Sequence, residues 1–286
     1  MQHKARKRFG QNFLIDQNII NKIIAVINPR KGEKIVEIGP GLGALTQRLL
    51  PLLGVIDVIE IDDDIIPKLK QQCECLGELN IHHMDVLQVD FNQLAAIPAG
   101  NCKPELVSGA AFLPRKQFPA GTTDQLAVKL RIVGNLPYNI STPLLFHLAQ
   151  YQNMIIDMHF MLQKEVVDRI CASCGTKQYG RLSVMLQYYF KPECLFNIPP
   201  SVFRPQPKVY SSFLRLTPRL ESELTAKDEK KLGYIVTQAF GVRRKTIRNA
   251  LKKDINLAQF GRLNIDPNSR AEVLTLHDFI NLSNLL

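Results

Sequence analysis

Apolar positions along the chain come in short continuous runs of strand length, separated by stretches with helical spacing. The alternation predicts helix Asn18–Ile27, strand Lys34–Ile38, helix Ala44–Leu53, strand Val55–Ile61 and helix Asp64–Cys75. It continues through strand Asn80–His83, a short helix over Phe91–Ala96, strand Val128–Gly134, helix Pro143–Gln150 and strand Ile155–Leu162. Strands alternating with helices argue for a parallel, doubly wound α/β sheet. One interruption stands out, Pro98–Thr123, with four prolines and three glycines. A loop this long inside a compact domain is uncommon, and it reads as an exposed, mobile insertion.

After Gly180 the pattern changes. Leu182–Phe190 and Val209–Leu216 read as strands of an antiparallel hairpin at the sheet edge, with the prolines of Ile198–Lys208 confined to the connection. From Arg219 onward the reading is almost wholly helical. The expected division is residues 1–218 as one domain, carrying the insertion 98–123, and residues 219–286 as a small all-helical second domain.

Apolar residues make up 45% of the 286 positions, enough for a real core, and no apolar run reaches the length of a membrane span. The net charge of +10 points to a polyanion such as nucleic acid or an anionic membrane surface, without choosing between them. The six cysteines follow no secretory signal and read as reduced thiols of a cytoplasmic protein. Cys171 and Cys174 have CxxC spacing but no second pair at zinc-ribbon distance, so metal or redox use is not expected. His82 and His83 are adjacent on a strand, point to opposite faces and make no joint ligand pair.

The sharpest local signal is IVEIGPGLGALT, Ile35–Thr46: a strand, a turn with Gly39, Gly41 and Gly43, then a helix. Glycines let the backbone bend tightly and let a ligand approach the main chain. Alone the turn is ambiguous, because Gly39, Gly41 and Ala44 also satisfy the dinucleotide fingerprint. Two acids favour a nucleoside ligand. Glu60 closes the second strand 21 positions after Gly39, where it can accept from ribose hydroxyls, and Asp85 closes the third, where it can bind an adenine amine. Both could instead merely cap the following helices. Glu37, before the turn, can face the amino group of an amino acid, which S-adenosylmethionine has and NAD lacks.

Residues 135–141, NLPYNIS, end the fourth predicted strand with an amide, a proline and a tyrosine. An exocyclic adenine amine is a poor nucleophile because its lone pair is delocalised into the ring. Acceptors at its two N–H bonds favour a tetrahedral nitrogen and free that pair for attack on a methyl carbon. The Asn135 side-chain oxygen is one such acceptor and a carbonyl at Leu136 or Pro137 another, held by the fixed proline geometry. The Tyr138 ring offers a stacking face, worth ~1–3 kcal/mol per base. Such a base must first be unstacked from its nucleic acid. A catalytic His or Cys is not needed for this chemistry.

With these residues in place, the chain resembles the ribosomal RNA adenine dimethyltransferase family, in its bacterial small-subunit branch. The likeness runs through KRFGQNFL (Lys7–Leu14), VEIGPGLGALT, IEID, NLPYNISTPLLF and HFMLQKEVVDR (His159–Arg169). It continues in YGRLSVMLQYY (Tyr179–Tyr189), PPSVFRPQPKV (Pro199–Val209) and FGVRRKTIRNAL (Phe240–Leu251). The resemblance implies a Rossmann-like class I methyltransferase sheet with a small helical C-terminal domain, and S-adenosylmethionine as cofactor. It implies a cofactor site of Asn12, Leu14, Gly39, Glu60, Asp85 and Asn135. The target adenine would lie between Tyr138 and Phe203, its amine gripped by Asn135 and the Leu136 carbonyl beside Pro137. The implied substrate is two adjacent adenines near the 3′ end of small-subunit ribosomal RNA, or of the 30S precursor, each dimethylated by a monomeric enzyme. Two departures stand out: the Pro98–Thr123 insertion, and Asn264 where the family pattern leads one to expect Gly.

Positive charge clusters at residues 4–8, KARKR, and in Phe240–Lys253, where Arg244, Arg248 and Lys252 recur at i, i+4, i+8 opposite Phe240, Ile247 and Leu251. A basic helix face of this kind is often simply solvated, but here the excess charge favours phosphate contacts. Rival readings are a single-site adenine methyltransferase of large-subunit RNA, a non-catalytic ribosome-assembly factor and, more distantly, a NAD-dependent enzyme.

Overall fold

In the computed structural model of the chain, residues 11–96, 129–242 and 244–286 are described. The expected insertion, Pro98–Thr123, and the basic run 4–8 therefore lie outside the described residues, as do residues 7–10 of the KRFGQNFL motif.

The elements follow in order: β1 (Phe13–Leu14), α1 (Gln17–Ile27), β2 (Lys34–Ile38), α2 (Thr46–Leu53), β3 (Val55–Glu60), α3 (Ile66–Cys73) and β4 (Glu78–His83). Then come α4 (Phe91–Ala96), β5 (Leu130–Asn135), α5 (Ser141–Ala149), β6 (Ile155–Gln163), α6 (Lys164–Ile170), α7 (Arg181–Tyr189) and β7 (Phe190–Ile198). After them stand β8 (Phe203–Arg204), β9 (Ser211–Pro218), α8 (Glu229–Gly241), α9 (Ile247–Ala250), α10 (Leu257–Arg262) and α11 (Leu276–Ser283).

Seven strands form one sheet in the order β4-β3-β2-β5-β6-β9-β7. The first five are parallel, and β9 and β7 join antiparallel at one edge. Chain order reverses between β2 and β5, and the crevice beyond the carboxyl ends of strands at such a switch point is where open α/β sheets take ligands. Val36, Ile38, Ile132, Met158 and Phe160 bury one side of the sheet, while Ile35, Val58, Val133 and Met161 bury the other. A third apolar cluster joins Val184, Met185 and Tyr188 of α7 to Leu232, Ile235 and Val236 of α8 and Phe279 and Leu282 of α11. Among the described residues after Pro218, the regular elements longer than an isolated bridge are helices.

The amino ends of the strands are tied by charge. Arg131, 7% exposed, donates to both oxygens of Asp157 at 2.9 Å, to Glu33 at 2.7 Å and to the Ile27 carbonyl at 2.7 Å. A buried guanidinium is tolerated there because its donors meet acceptors in a fixed fork.

Three sequence expectations change. Leu182–Tyr189 is helix rather than strand. Helix α7 buries Leu182, Ser183, Val184, Met185, Leu186 and Tyr188, with Leu182 and Leu186 toward the sheet and the others toward the C-terminal helices or the α6 end. A helix covered on both sides has no polar stripe and loses the helical signature. The hairpin at the edge does form, but its first strand is β7, paired with β9 and bulged between Cys194 and Phe196. Pro192 is at home there because β7 is the last strand of the sheet.

The third change concerns the basic helix. Helix α8 ends at Gly241 and α9 spans only four residues, so Arg244 lies on a turn before α9 and Lys252 on the turn after it. Remote partners break the helix: Ile247 N–H donates to the Ser269 carbonyl at 2.7 Å and Arg248 N–H to the Pro267 carbonyl at 3.1 Å. Thr246 also bridges Arg270. The predicted division of faces survives, since Ile247 and Leu251 are fully buried and Arg244, Arg248 and Lys252 are exposed. Asn264 takes φ 55°, the left-handed conformation that asparagine tolerates.

Candidate active site

At the switch point the chain leaves β2 through a glycine turn whose three glycines all have positive φ: 64° at Gly39, 55° at Gly41 and 78° at Gly43. A Cβ on Gly43 would stand 2.8 Å from Leu69 Cδ1, and one on Gly41 would stand 3.1 Å from the Phe13 ring. Glycine is thus demanded by backbone conformation, and at Gly41 and Gly43 a Cβ would also push on the Phe13 and Leu69 side chains. The turn, through Gly39, Pro40 and Gly41, and NLPY, at the end of the neighbouring strand, line one cavity.

Three acids reach this cavity. Glu60 ends β3 and accepts from the N–H groups of Ile61 and Asp62 at 2.9 Å and of Gly41 at 3.4 Å. Burial nevertheless raises its pKa, and the backbone donors oppose that rise. Asp85 lies two residues beyond β4 rather than on it, and Oδ1 caps the next turn through Leu87 N–H at 3.0 Å. Capping and cavity lining coexist in this one side chain. Glu37, 2% exposed in the middle of the sheet, accepts from Thr46 Oγ1 at 2.7 Å. Desolvation lifts its pKa to about 7, the Thr46 bond opposes the rise and the nearby Glu60 charge adds to it.

Beside β2, β5 runs to Asn135, and Leu136 N–H donates to the Met161 carbonyl at 3.2 Å. Asn135 Nδ2 donates to the Asn12 carbonyl at 2.8 Å, so the amide nitrogen is committed and Oδ1 is left as the acceptor. The Pro137 carbonyl accepts from Ile140 N–H at 3.3 Å and the Tyr138 carbonyl from Ser141 Oγ at 3.2 Å. The Leu136 carbonyl is therefore the uncommitted one of the three. Tyr138 is half-buried, its hydroxyl 3.0 Å from Ser211 Oγ, which fixes the ring across the end of β9.

Asn12, Leu14, Gly39, Glu60, Asp85, Asn135, Leu136, Pro137 and Tyr138 all line this single cavity. Phe203 does not. It pairs with Leu14 through β8, is 3% exposed and packs among Leu14, Val202 and Phe213. Arg244, Arg248 and Lys252 do not line the cavity and lie on α9 and its flanking turns.

Sequence reasoning missed Gln11, Phe13, Ile61 and Met84, which also line the cavity. Gln11 Nε2 donates to Asp62 Oδ2 at 2.8 Å and so ties the β1 segment to the loop after β3. Ile61 and Met84 are 45% and 39% exposed and add apolar surface to the lining. Each is the chain neighbour of a predicted acid, the one signal that pointed to them.

Comparison with known proteins matches this chain to a family. The sequence profile described as ribosomal RNA adenine dimethylase matches residues 2–286. The "Ribosomal RNA small subunit methyltransferase A" of Aromatoleum aromaticum is 48% identical, covering 100% of this chain and 95% of its own. That of Pseudomonas aeruginosa is 45% identical, covering 100% and 96%. Among solved structures, a dimethyladenosine transferase from Plasmodium falciparum shares the fold with a TM-score of 0.72 at 24% identity, covering 94% of this chain and 95% of its own. The 23S rRNA methyltransferase ErmE shares it at 0.67 and 20% identity, covering 96% and 99%. The chain thus belongs to the ribosomal RNA adenine dimethylase family, methyltransferases of class I fold whose methyl donor is S-adenosylmethionine.

Proposed function

We propose that this enzyme dimethylates the N6 amines of two adjacent adenosines near the 3′ end of 16S ribosomal RNA, on the 30S subunit or its precursor, as a step of small-subunit biogenesis. The observation that carries the reading is the pair of uncommitted acceptors, Asn135 Oδ1 and the Leu136 carbonyl, in the cavity that the glycine turn and three acids also line. The full-length relatives named for small-subunit methylation support the choice of RNA.

The lining fits S-adenosylmethionine. Glu60 suits a ribose diol, Asp85 an adenine amine between Ile61 and Met84, and Glu37 an ammonium, while Asn12, Leu14 and Gly39 shape the walls. When bound, the cofactor supplies an electrophilic methyl group. The protein's work is positioning and electrostatics. Asn135 and Leu136 accept from the two N–H bonds of the target amine, drawing the nitrogen toward tetrahedral geometry. Pro137 holds the turn, and Tyr138, anchored through Ser211, supports the extruded base on one face. For Phe203 to take the other face, its ring must be uncovered from the Leu14 side, so we assign it that role only in the RNA-bound state. Residues 1–218 act as the catalytic domain. Residues 219–286 act as the RNA-binding domain, with exposed Arg244, Arg248 and Lys252 toward phosphates.

The direct test incubates the protein with labelled S-adenosylmethionine and undermethylated small subunits, then maps the modified nucleosides. Adjacent dimethyladenosines are expected. Their absence with intact NLPY would sink the assignment.

A further inference from the structure

The sheet edge that holds the cavity also carries, one residue before the Tyr138 anchor, an aromatic group that the proposed chemistry does not use. Strand β9 runs antiparallel to β6, with Ser211 opposite Gln163 at the carboxyl end of β6. The start of β9 therefore lies at the same sheet edge as the cavity, and Ser211 is the residue that holds the Tyr138 hydroxyl. Tyr210 is one Cα step, ~3.8 Å, farther out along the chain.

Tyr210 is 55% exposed. Among the described residues only one other aromatic is comparably exposed, Tyr234 at 43%, and its hydroxyl is bonded to Asp254 at 3.3 Å. Tyr210 has no such tether on its side chain. Its backbone, by contrast, is fixed: its carbonyl accepts from Lys164 N–H at 2.9 Å. A pinned main chain beneath an uncovered ring is a poor way to stabilise a fold, because the ring buries little. It is a good way to present a flat apolar face at low entropic cost.

The surroundings name the partner. Val209 beside it is 44% exposed, and Arg204 and Lys208 on the same short loop are exposed cations. Arg204 pairs with Phe13, a residue of the cavity wall, so this loop joins the wall at one end and the Tyr138 anchor at the other. An exposed ring and two exposed cations on a loop that connects the cavity wall to the Tyr138 anchor have the composition of a single-stranded nucleic-acid platform.

We infer that Tyr210 stacks on the nucleotide next to the extruded adenine, while Arg204 and Lys208 hold the flanking phosphates, making the 204–210 loop a substrate-positioning platform. The inference rests on the proposed RNA substrate. With two adjacent target adenines, the platform holds one while its neighbour is in the cavity. Tyr210 is thus a positioning residue, acting on RNA affinity and on KM rather than on the methyl-transfer step.

The test measures binding of a fluorescein-labelled RNA hairpin, with two adjacent adenines in its loop, to Tyr210→Ala, Tyr210→Leu and Tyr210→Phe chains. A stacking face predicts about a tenfold weaker Kd for Ala and Leu and near parental affinity for Phe. KM for the RNA should rise in parallel with kcat little changed, and S-adenosylmethionine affinity and Tm should stay at parental values. Parental RNA affinity in Tyr210→Ala would overturn the inference, as would a Leu variant that binds like Phe. The outcome is separable from the assigned reaction. A parent chain that forms no dimethyladenosine, with RNA binding still dependent on Tyr210, overturns the reaction alone, and normal dimethylation by an unimpaired Tyr210→Ala chain overturns the platform alone.

Discussion

Replacing Glu37 by glutamine separates two demands that one side chain meets. Glu37 is buried in β2, bonded to Thr46 and close to Glu60, and burial lifts its pKa from the model-peptide value of 4.5 to about 7. Between those values the folded chain keeps a proton that the unfolded chain releases. Stability is therefore full below the lower value and falls as pH rises toward the upper one, where the buried carboxylate is forced to ionise. The gap corresponds to roughly 3 kcal/mol. For a chain of this size that is about 5 °C in Tm. Glutamine keeps the shape and the acceptor for Thr46 but never ionises. Without cofactor, Glu37→Gln should match the parent at about pH 5 and melt higher by up to that amount at about pH 8. With saturating S-adenosylmethionine that advantage should shrink by about half. The ionised carboxylate is the partner for an ammonium, so the variant should bind the cofactor about tenfold more weakly at alkaline pH and converge with the parent below neutrality. Differential scanning fluorimetry across pH gives the first readout and titration calorimetry the second. A variant whose stability falls with pH as steeply as the parent's would refute the buried-proton argument. Equal cofactor affinity at alkaline pH would remove Glu37 from the ammonium site.

Further outcomes follow from the same geometry. Asn135→Ala should retain fold and lower kcat about a hundredfold, since one preorganised acceptor is lost; a parental kcat in single-turnover assays would show that the amide is not at the reacting amine. Gly134→Ala should cost about 2 kcal/mol, because a Cβ there would stand 2.5 Å from the Ile38 carbonyl oxygen between two central strands that cannot part. Urea denaturation reads this, and an unchanged midpoint would contradict it. Arg244→Ala with Arg248→Ala should weaken RNA binding and reduce the slope of log Kd against log salt by about 1.4, the value for two phosphates of a single strand; an unchanged slope would count against phosphate contacts at these residues.

What the sequence reveals about this enzyme depends on how local the cause is. Strand Lys34–Ile38 and helix Phe91–Ala96 fall where the apolar pattern puts them, because each buries a face set by its own period. Helix α7 has its pattern erased by partners on both sides, and the β7 edge strand is too polar to look like one. The break before α9 has its cause about twenty residues downstream, in the carbonyls of Pro267 and Ser269, which no window around Arg244 contains. The site follows the same division. Asn135, Glu60 and Asp85 are legible because strand ends interrupt an apolar run with a group that has one kind of chemistry. Ile61 and Met84 line the same cavity but carry no functional group, so only geometry reveals them. Phe203 shows the converse: its motif was legible, but its burial beside Leu14 belongs to the β1–β8 pairing, a contact across about 190 residues. Glu37 lies between these cases. Its place before the glycine turn could be read, whereas its proton depends on burial and on Thr46 and Glu60. That proton is the property on which the pH behaviour of the enzyme should turn.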